Sequence, residues 1–346
     1  MRKPNLFIVG AARSGTTSIW NYLKKHPNVF MPHDELYKEP SYFTEYRGDK
    51  SLQGYLHLFS EAGEQNKWIG EASVAYLTDP LSSKQIFDFN PKSKIIIILR
   101  KPWERAYSLY NWMVQDGYEY LAPFEKALKA EEKRSRKLES GWYKPNYYWG
   151  YLYYGSGLYY QQIKRFLTLF RDQVLVLNYE ELKAEPNKTC SKICSFLEID
   201  PFSWTNEKLN PSRAVISAKV VFILRKLNNF IIYRNNQGQS LRKILPILEK
   251  RFKKLEKKLS RAVELNKDEI ILGKDILYQV ISCLSSLGDE FPFRSITCKK
   301  QRDLILALGQ KNEPPPPMEP DTMLKLKQDY LSDLKKVYEL TGIDLQ

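Results

Sequence analysis

At 346 residues the chain is long enough to bury a full core, and its formal net charge of +14 directs attention to anionic partners. Its four cysteines, Cys190, Cys194, Cys283 and Cys298, include no C-x-x-C, and its three histidines, His26, His33 and His57, gather in no cluster, which excludes a disulfide framework and a His/Cys metal centre and makes a reducing compartment the default. No apolar run approaches the ~18 residues of a membrane span, and Leu6 to Val9 is too short for a signal-peptide core, so the expectation is a soluble cytoplasmic protein, with contact at a membrane surface left open.

Residues 5–9 read as a buried parallel strand, because an unbroken apolar run ends in a glycine-containing loop and then in helical periodicity at Ile19, Tyr22 and Leu23. A second strand is expected at 67–72 (KWIGEA) and a third at 94–99 (KIIIIL), whose β-branched run without alternation implies cover on both faces. A helix follows with Pro102 in its first turn and Ala106, Leu109, Tyr110 and Met113 on its inner stripe. Helix 158–170, strand 174–177 and helix 186–197 come next. Strands alternating with helices predict a P-loop-like, three-layer α/β/α fold around a central parallel sheet.

Past residue 213 the texture changes. Residues 219–261 carry thirteen Lys or Arg against two Glu, so most of the net charge is local to a basic, mainly helical stretch. The expected organisation is a core at 1–213, a basic insertion at 214–310, and a segment at 311–346 that completes the core. That last segment holds a four-proline spacer at 314–317 and a terminal amphipathic helix at 320–342 marked by Leu324, Leu331, Leu334 and Tyr338.

The loop after the first strand poses the functional question. Gly10 and Gly15 have the spacing of a phosphate-binding loop, and a helix N-terminus follows at Thr16 and Thr17. The lysine of the nucleotide triphosphatase pattern is missing, however, and the cation is Arg13, inside the loop. The apolar strand 94–99 ends in Arg100, a cation where a magnesium-binding carboxylate would stand. Together they imply an anionic nucleotide handled without metal. A turn with no ligand, a salt bridge at Arg100 and a solvated carboxylate at Glu39 are the competing readings.

"FIVGAARSGTTSIWNYLKKHPNVFMP…KEPSYF", "KIIIILRKPWERAYSLY" and "SGLYYQQIKRFLTLFRDQVLVLNYEELKAEPNKTCSKICSFLEID" together resemble the sulfotransferases that use 3′-phosphoadenosine 5′-phosphosulfate, in their bacterial and heparan-sulfate-type glycan branch. The likeness spans about residues 5–213 and resumes at 323–345. It implies that Arg13, Ser14, Gly15, Thr16 and Thr17 cradle the 5′-phosphosulfate, that Arg100 and Ser108 hold the 3′-phosphate, and that Glu39 is the base on the acceptor hydroxyl. Asn210 and Ser212 match a short segment closing over the nucleotide. Where heparan-type relatives carry a second catalytic lysine this chain has Ala72, leaving Glu71 or Lys38 as helpers. The implied acceptor is a carbohydrate or glycolipid. The ten aromatics of residues 142–160 offer ring faces for sugar stacking or for core packing. Residues 219–261 would meet an acidic polymer or an anionic membrane surface, with no nucleic acid expected. The alternatives are a P-loop nucleotide kinase and a non-catalytic polyanion- or membrane-binding protein. His33, His57, Cys190 and Cys194 read as surface or packing residues.

Overall fold

The opening apolar run forms strand β1 (Leu6–Gly10), whose five residues are all buried. The computed structural model describes residues 2–33, 37–44, 51–139, 148–202, 213–222, 224–226 and 309–346. After β1 come helix α1 (Thr16–Lys24), strand β2 (Val29–Phe30), helix α2 (Leu52–His57), strand β3 (Trp68–Glu71) and the short helices α3 (Ala75–Thr78) and α4 (Ser82–Phe89). Strand β4 (Lys94–Leu99), helix α5 (Pro102–Gln115) and helix α6 (Phe124–Glu139) follow. Helix α7 (Tyr159–Phe170), strand β5 (Val174–Asn178), helices α8 (Tyr179–Ala184) and α9 (Pro186–Leu197), and helix α10 (Pro320–Thr341) complete the described elements.

The five strands form one sheet in the order β2-β3-β1-β4-β5, and every pairing is parallel. Because β1 sits between strands that follow it in sequence on either side, the chain reverses direction of travel at β1, and the loops leaving β1 and β4 open at the same carboxyl edge. That is where an open α/β sheet leaves a crevice for ligand. Ile95 to Leu99 of β4 are completely buried, and each such side chain contributes about 1.5–3 kcal/mol relative to exposure. One face packs Leu6, Ile8, Ile96 and Ile98 against Ile19, Trp20 and Leu23 of α1 and Ile193, Cys194 and Leu197 of α9. Helix α7 lies against β4 and β5, and α10 packs outside α7. The expected P-loop-like, three-layer α/β fold is therefore present.

Several predicted features hold in detail. Ala106, Leu109, Tyr110 and Met113 of α5 are buried, Cys190 and Cys194 are buried free thiols, and His33 and His57 are exposed. The terminal helix differs in phase. Leu326, Tyr330, Leu334 and Val337 form its buried face, whereas Leu324, Leu331 and Tyr338 stand exposed. Two apolar rows run along α10, and the inner one is selected by Tyr330, whose hydroxyl reaches the backbone at Tyr154. Among the rings of 142–160, Trp149, Tyr153 and Tyr159 are buried, so packing claims them rather than a sugar face.

The chain divides into two units. One comprises Met1–Leu109, Glu131–Asn210 and Met318–Gln346 and contains the sheet. The other comprises Tyr110–Ala130 and Pro211–Pro317. In the described part of the second, Val215 bridges Gln310 in antiparallel fashion, and Arg225 donates to the Asp116 carbonyl at 2.8 Å while its guanidinium lies 3.5 Å from the Tyr118 ring centroid. The basic stretch 219–261 lies outside the described residues apart from 219–222 and 224–226. No helix among the described residues is long and apolar enough to cross a membrane.

Candidate active site

The loop leaving β1 is built to expose backbone donors. Gly15 caps α1 at φ 91°, and an added Cβ there would lie 3.0 Å from Leu182 Cδ2 and 3.1 Å from Tyr179 Cδ2, so both space and backbone require glycine. Helix α1 has no side-chain cap and no acidic residue in its first turn. Its positive end and its first amides are consequently left for an anion. The Ser14 hydroxyl is buried with no hydrogen-bond partner among the described residues, and Thr16 is also buried. An orphaned buried hydroxyl beside a helix N-terminus fits a phosphate oxygen.

Two guanidinium groups converge on this loop. Arg13, at φ 65°, donates from Nε to Ser108 Oγ at 3.1 Å, and Arg100 donates from Nη1 to the Arg13 carbonyl at 3.4 Å. Arg13, Ser108 and Arg100, 95 and 87 residues apart from Arg13 in sequence, are thus joined by side-chain contacts across the tips of β1 and β4. Arg100 is also engaged by a carboxylate: Nη2 and Nε lie 3.0 and 3.3 Å from Glu104 Oε2, and the guanidinium stands 4.9 Å from the Tyr179 ring centroid. The salt bridge that competes with phosphate at Arg100 is thus present, with Glu104 as its partner. Asn210 and Ser212 lie outside the described residues.

Glu39 is held by a different set of contacts. Lys38 Nζ pairs with Glu39 Oε1 at 2.7 Å, the lysine side chain being 8% and the glutamate 33% exposed. The segment is laid along the exit of β3: Ala72 N–H donates to the Lys38 carbonyl at 3.0 Å, and Ser41 N–H donates to Ser73 Oγ at 2.8 Å. Ser73 in turn donates to Glu71, which also receives the hydroxyls of Tyr55 at 2.7 Å and Tyr76 at 2.8 Å. Glu71 is fully buried, and burial together with its charge raises both tyrosines well above their ordinary range. Of the two helpers considered, Lys38 touches Glu39, and Glu71 anchors the segment from beneath.

Sequence reasoning missed Glu104, Tyr179 and Tyr159. Glu104 was readable, since it stands one helical turn from Arg100. Tyr179 beneath Arg100 and Tyr159, whose hydroxyl donates to the Arg100 carbonyl at 2.9 Å, depend on tertiary neighbours that no local pattern announces.

A central parallel sheet flanked by helices, with a helix lacking a side-chain cap and two arginines at the mouth of its central strands, is an α/β fold of the P-loop-like type. The chain belongs to the sulfotransferase domain family, whose sequence model matches residues 3–220. It is 26% identical over 216 residues to the bifunctional heparan sulfate N-deacetylase/N-sulfotransferase 1 of Caenorhabditis briggsae, covering 61% of this chain and 24% of that protein. The human protein of that name is 26% identical over 212 residues, 57% of this chain and 22% of its own length. The membrane-associated sulfotransferase kil1 of Dictyostelium discoideum is 34% identical over 114 residues, 32% of this chain and 23% of that protein. The chain thus spans about a quarter of the length of these curated relatives. Among solved structures, a sulfotransferase from Alicyclobacillus acidocaldarius superposes with a TM-score of 0.51 at 31% identity, over 66% of this chain and 92% of that one.

Proposed function

We propose that the protein transfers a sulfuryl group from 3′-phosphoadenosine 5′-phosphosulfate to a hydroxyl of a carbohydrate or glycolipid. The observation that carries this reading is the joining of Arg13, Ser108 and Arg100 next to a Ser14 hydroxyl with no partner among the described residues, because it brings two cations to the loop that leads into a helix N-terminus with no side-chain cap. Membership of the sulfotransferase domain family supports the reaction class. The glycan acceptor is supported by the heparan sulfate enzymes among the relatives.

The donor supplies an activated sulfur bonded to the bridging oxygen of its 5′-phosphate. Arg13, Ser14, Gly15, Thr16 and Thr17 would hold that end, and Arg100 with Ser108 would select the 3′-phosphate. Glu39 would take the acceptor's O–H proton as the acceptor oxygen bonds to sulfur and the bond from sulfur to the bridging oxygen breaks. Negative charge then gathers on that oxygen, where Arg13 and Thr16 stabilise it; arginine does so by hydrogen bonding, since it does not give up its proton. Lys38 would hold Glu39 in place. Asn210 and Ser212 would close over the nucleotide, and residues 219–261 would meet the acidic polymer or membrane surface that presents the acceptor.

Calorimetric titration with adenosine 3′,5′-bisphosphate in the presence of a chelator tests the site. Binding at micromolar Kd, about −8 kcal/mol, is expected. Transfer of radiolabelled sulfate from the donor into a glycan or glycolipid fraction is the matching activity readout. Failure of the bisphosphate to bind, with stabilisation by ATP and Mg²⁺ instead, would replace this reading with a kinase.

A further inference from the structure

The aromatic stretch before α7 ends in a tyrosine to which the reaction above gives no task. Tyr159 is the first residue of α7, fully buried, and its hydroxyl donates to the carbonyl of Arg100 at 2.9 Å. Burial raises its pKa above the ordinary value, so it remains an O–H donor. The Arg100 carbonyl lies outside both neighbouring ladders: the registered pairs of β4 with β5 end at Leu99 and Asn178, and the Arg105 N–H of α5 returns to Lys101. A carbonyl in that position needs a partner from elsewhere, and Tyr159 provides it.

Tyr159 is itself fixed from the far end of the chain. Leu158 gives α7 no capping side chain, and the Tyr160 N–H instead meets Asp333 of α10, 3.2 Å from Oδ2 and 3.4 Å from Oδ1. Just upstream, the Tyr330 hydroxyl donates to the Tyr154 carbonyl at 2.9 Å, and the two rings stack at 4.8 Å. Glu131 accepts from the N–H groups of Tyr154 and Gly155 at 2.7 and 2.8 Å, while Arg105 Nη2 donates to the Tyr153 carbonyl at 2.6 Å. Gly157 is pressed so closely that an added Cβ would lie 2.7 Å from the Tyr330 hydroxyl and 3.0 Å from Pro102 Cβ.

We infer that Tyr159 is a positioning residue for the 3′-phosphate end of the site: its hydroxyl fixes the Arg100 main chain, and α10, through Asp333 and Tyr330, fixes Tyr159. The inference rests on the reading that Arg100 meets the 3′-phosphate. Without the hydroxyl, the peptide after Arg100 gains freedom to rotate and the guanidinium loses its fixed bearing toward the Arg13 carbonyl and Glu104. The 5′ end touches Arg100 only through the Arg13 carbonyl and is otherwise held by the loop after β1 and the first turn of α1, so the loss is expected to fall on the 3′ side. The terminal helix thereby sharpens discrimination between nucleotides with and without a 3′-phosphate.

The test compares Kd for adenosine 3′,5′-bisphosphate and adenosine 5′-phosphate in the full chain and its Tyr159→Phe, Asp333→Ala and Arg100→Ala variants, with thermal unfolding run alongside. Tyr159→Phe keeps the buried ring. It is expected to weaken bisphosphate binding about three- to tenfold, the size of one neutral hydrogen bond, with the monophosphate unchanged. Asp333→Ala should do the same from the other side, and either variant suffices if the other fails to fold. Equal losses for both nucleotides, or no loss for either, overturn the inference while Arg100→Ala still abolishes the preference for bisphosphate. If Arg100→Ala leaves that preference intact, the reading of Arg100 fails, and the inference with it.

Discussion

Glu39 owes its place to a lysine and two backbone bonds. Lys38 pairs with it at 2.7 Å, and the flanking carbonyl and amide are pinned to Ala72 and Ser73, so the carboxylate is held without being sealed from an acceptor. Replacing it with Gln keeps size and hydrogen bonding but removes the proton acceptor. Turnover of Glu39→Gln should fall by about 10²- to 10⁴-fold while Kd for adenosine 3′,5′-bisphosphate stays at the wild-type value; undiminished turnover would take Glu39 out of the reaction. Arg100 presents a different situation, because Glu104 already occupies part of its guanidinium at 3.0 Å. A phosphate dianion brings more charge and more acceptor oxygens than one carboxylate, so it can share or take over those donors.

At the scale of elements, the turn before α7 carries a titration of its own. Burial is the first cause that holds the Glu131 carboxyl above its ordinary value of 4.5, partly offset by the N–H groups it accepts from Gly155 and Tyr154. The folded chain therefore binds this proton more tightly than the unfolded chain. The stability it contributes is full below the ordinary value and is lost as pH rises through the folded one. Urea unfolding across about pH 4 to 7 should show a shallower decline with rising pH for Glu131→Gln than for wild type, and identical slopes would remove Glu131 from the pH response.

Legibility in the sequence followed cover and length. Strand β4 was readable because a run of isoleucines buried on both faces leaves no alternation to confuse, and α5 because Pro102 and a single stripe fix its start and face. Strand β2, at two residues, is too short to carry a period, and α2, α3 and α4 are too short to stand out from the loops around them. Helix α10 was legible as a helix, yet its two apolar rows left its phase to tertiary contact. Arg13, Arg100 and Ser108 could be named from the blocks around them. Tyr159 could not be given a task, because its partner lies 59 residues earlier in the chain and its anchor, Asp333, in a different helix.

For the whole molecule, charge governs encounter more than fold. A net charge of +14, with thirteen of its cations between residues 219 and 261, favours approach of acidic acceptors over neutral ones. Initial rates with an acidic polysaccharide acceptor should fall as salt rises from about 50 to 200 mM, whereas rates with a small neutral acceptor sugar should hold steady. Parallel salt curves for the two acceptors would show that the basic stretch does not recruit substrate.

The sheet order carries a further consequence. Strands β1 and β4 are hydrogen-bonded neighbours, yet Leu6 pairs with Lys94, so the two arginines meet only after a long loop of chain has closed and its end has docked edge to edge. A nascent or partly opened chain in which that seam has not zipped offers the nucleotide half a grip on each fragment. Bisphosphate bound as proposed would act as a clasp across the seam: in saturating amounts it should suppress opening there ahead of fraying elsewhere, and slowed amide exchange along Ile95 to Ile98 would be its signature.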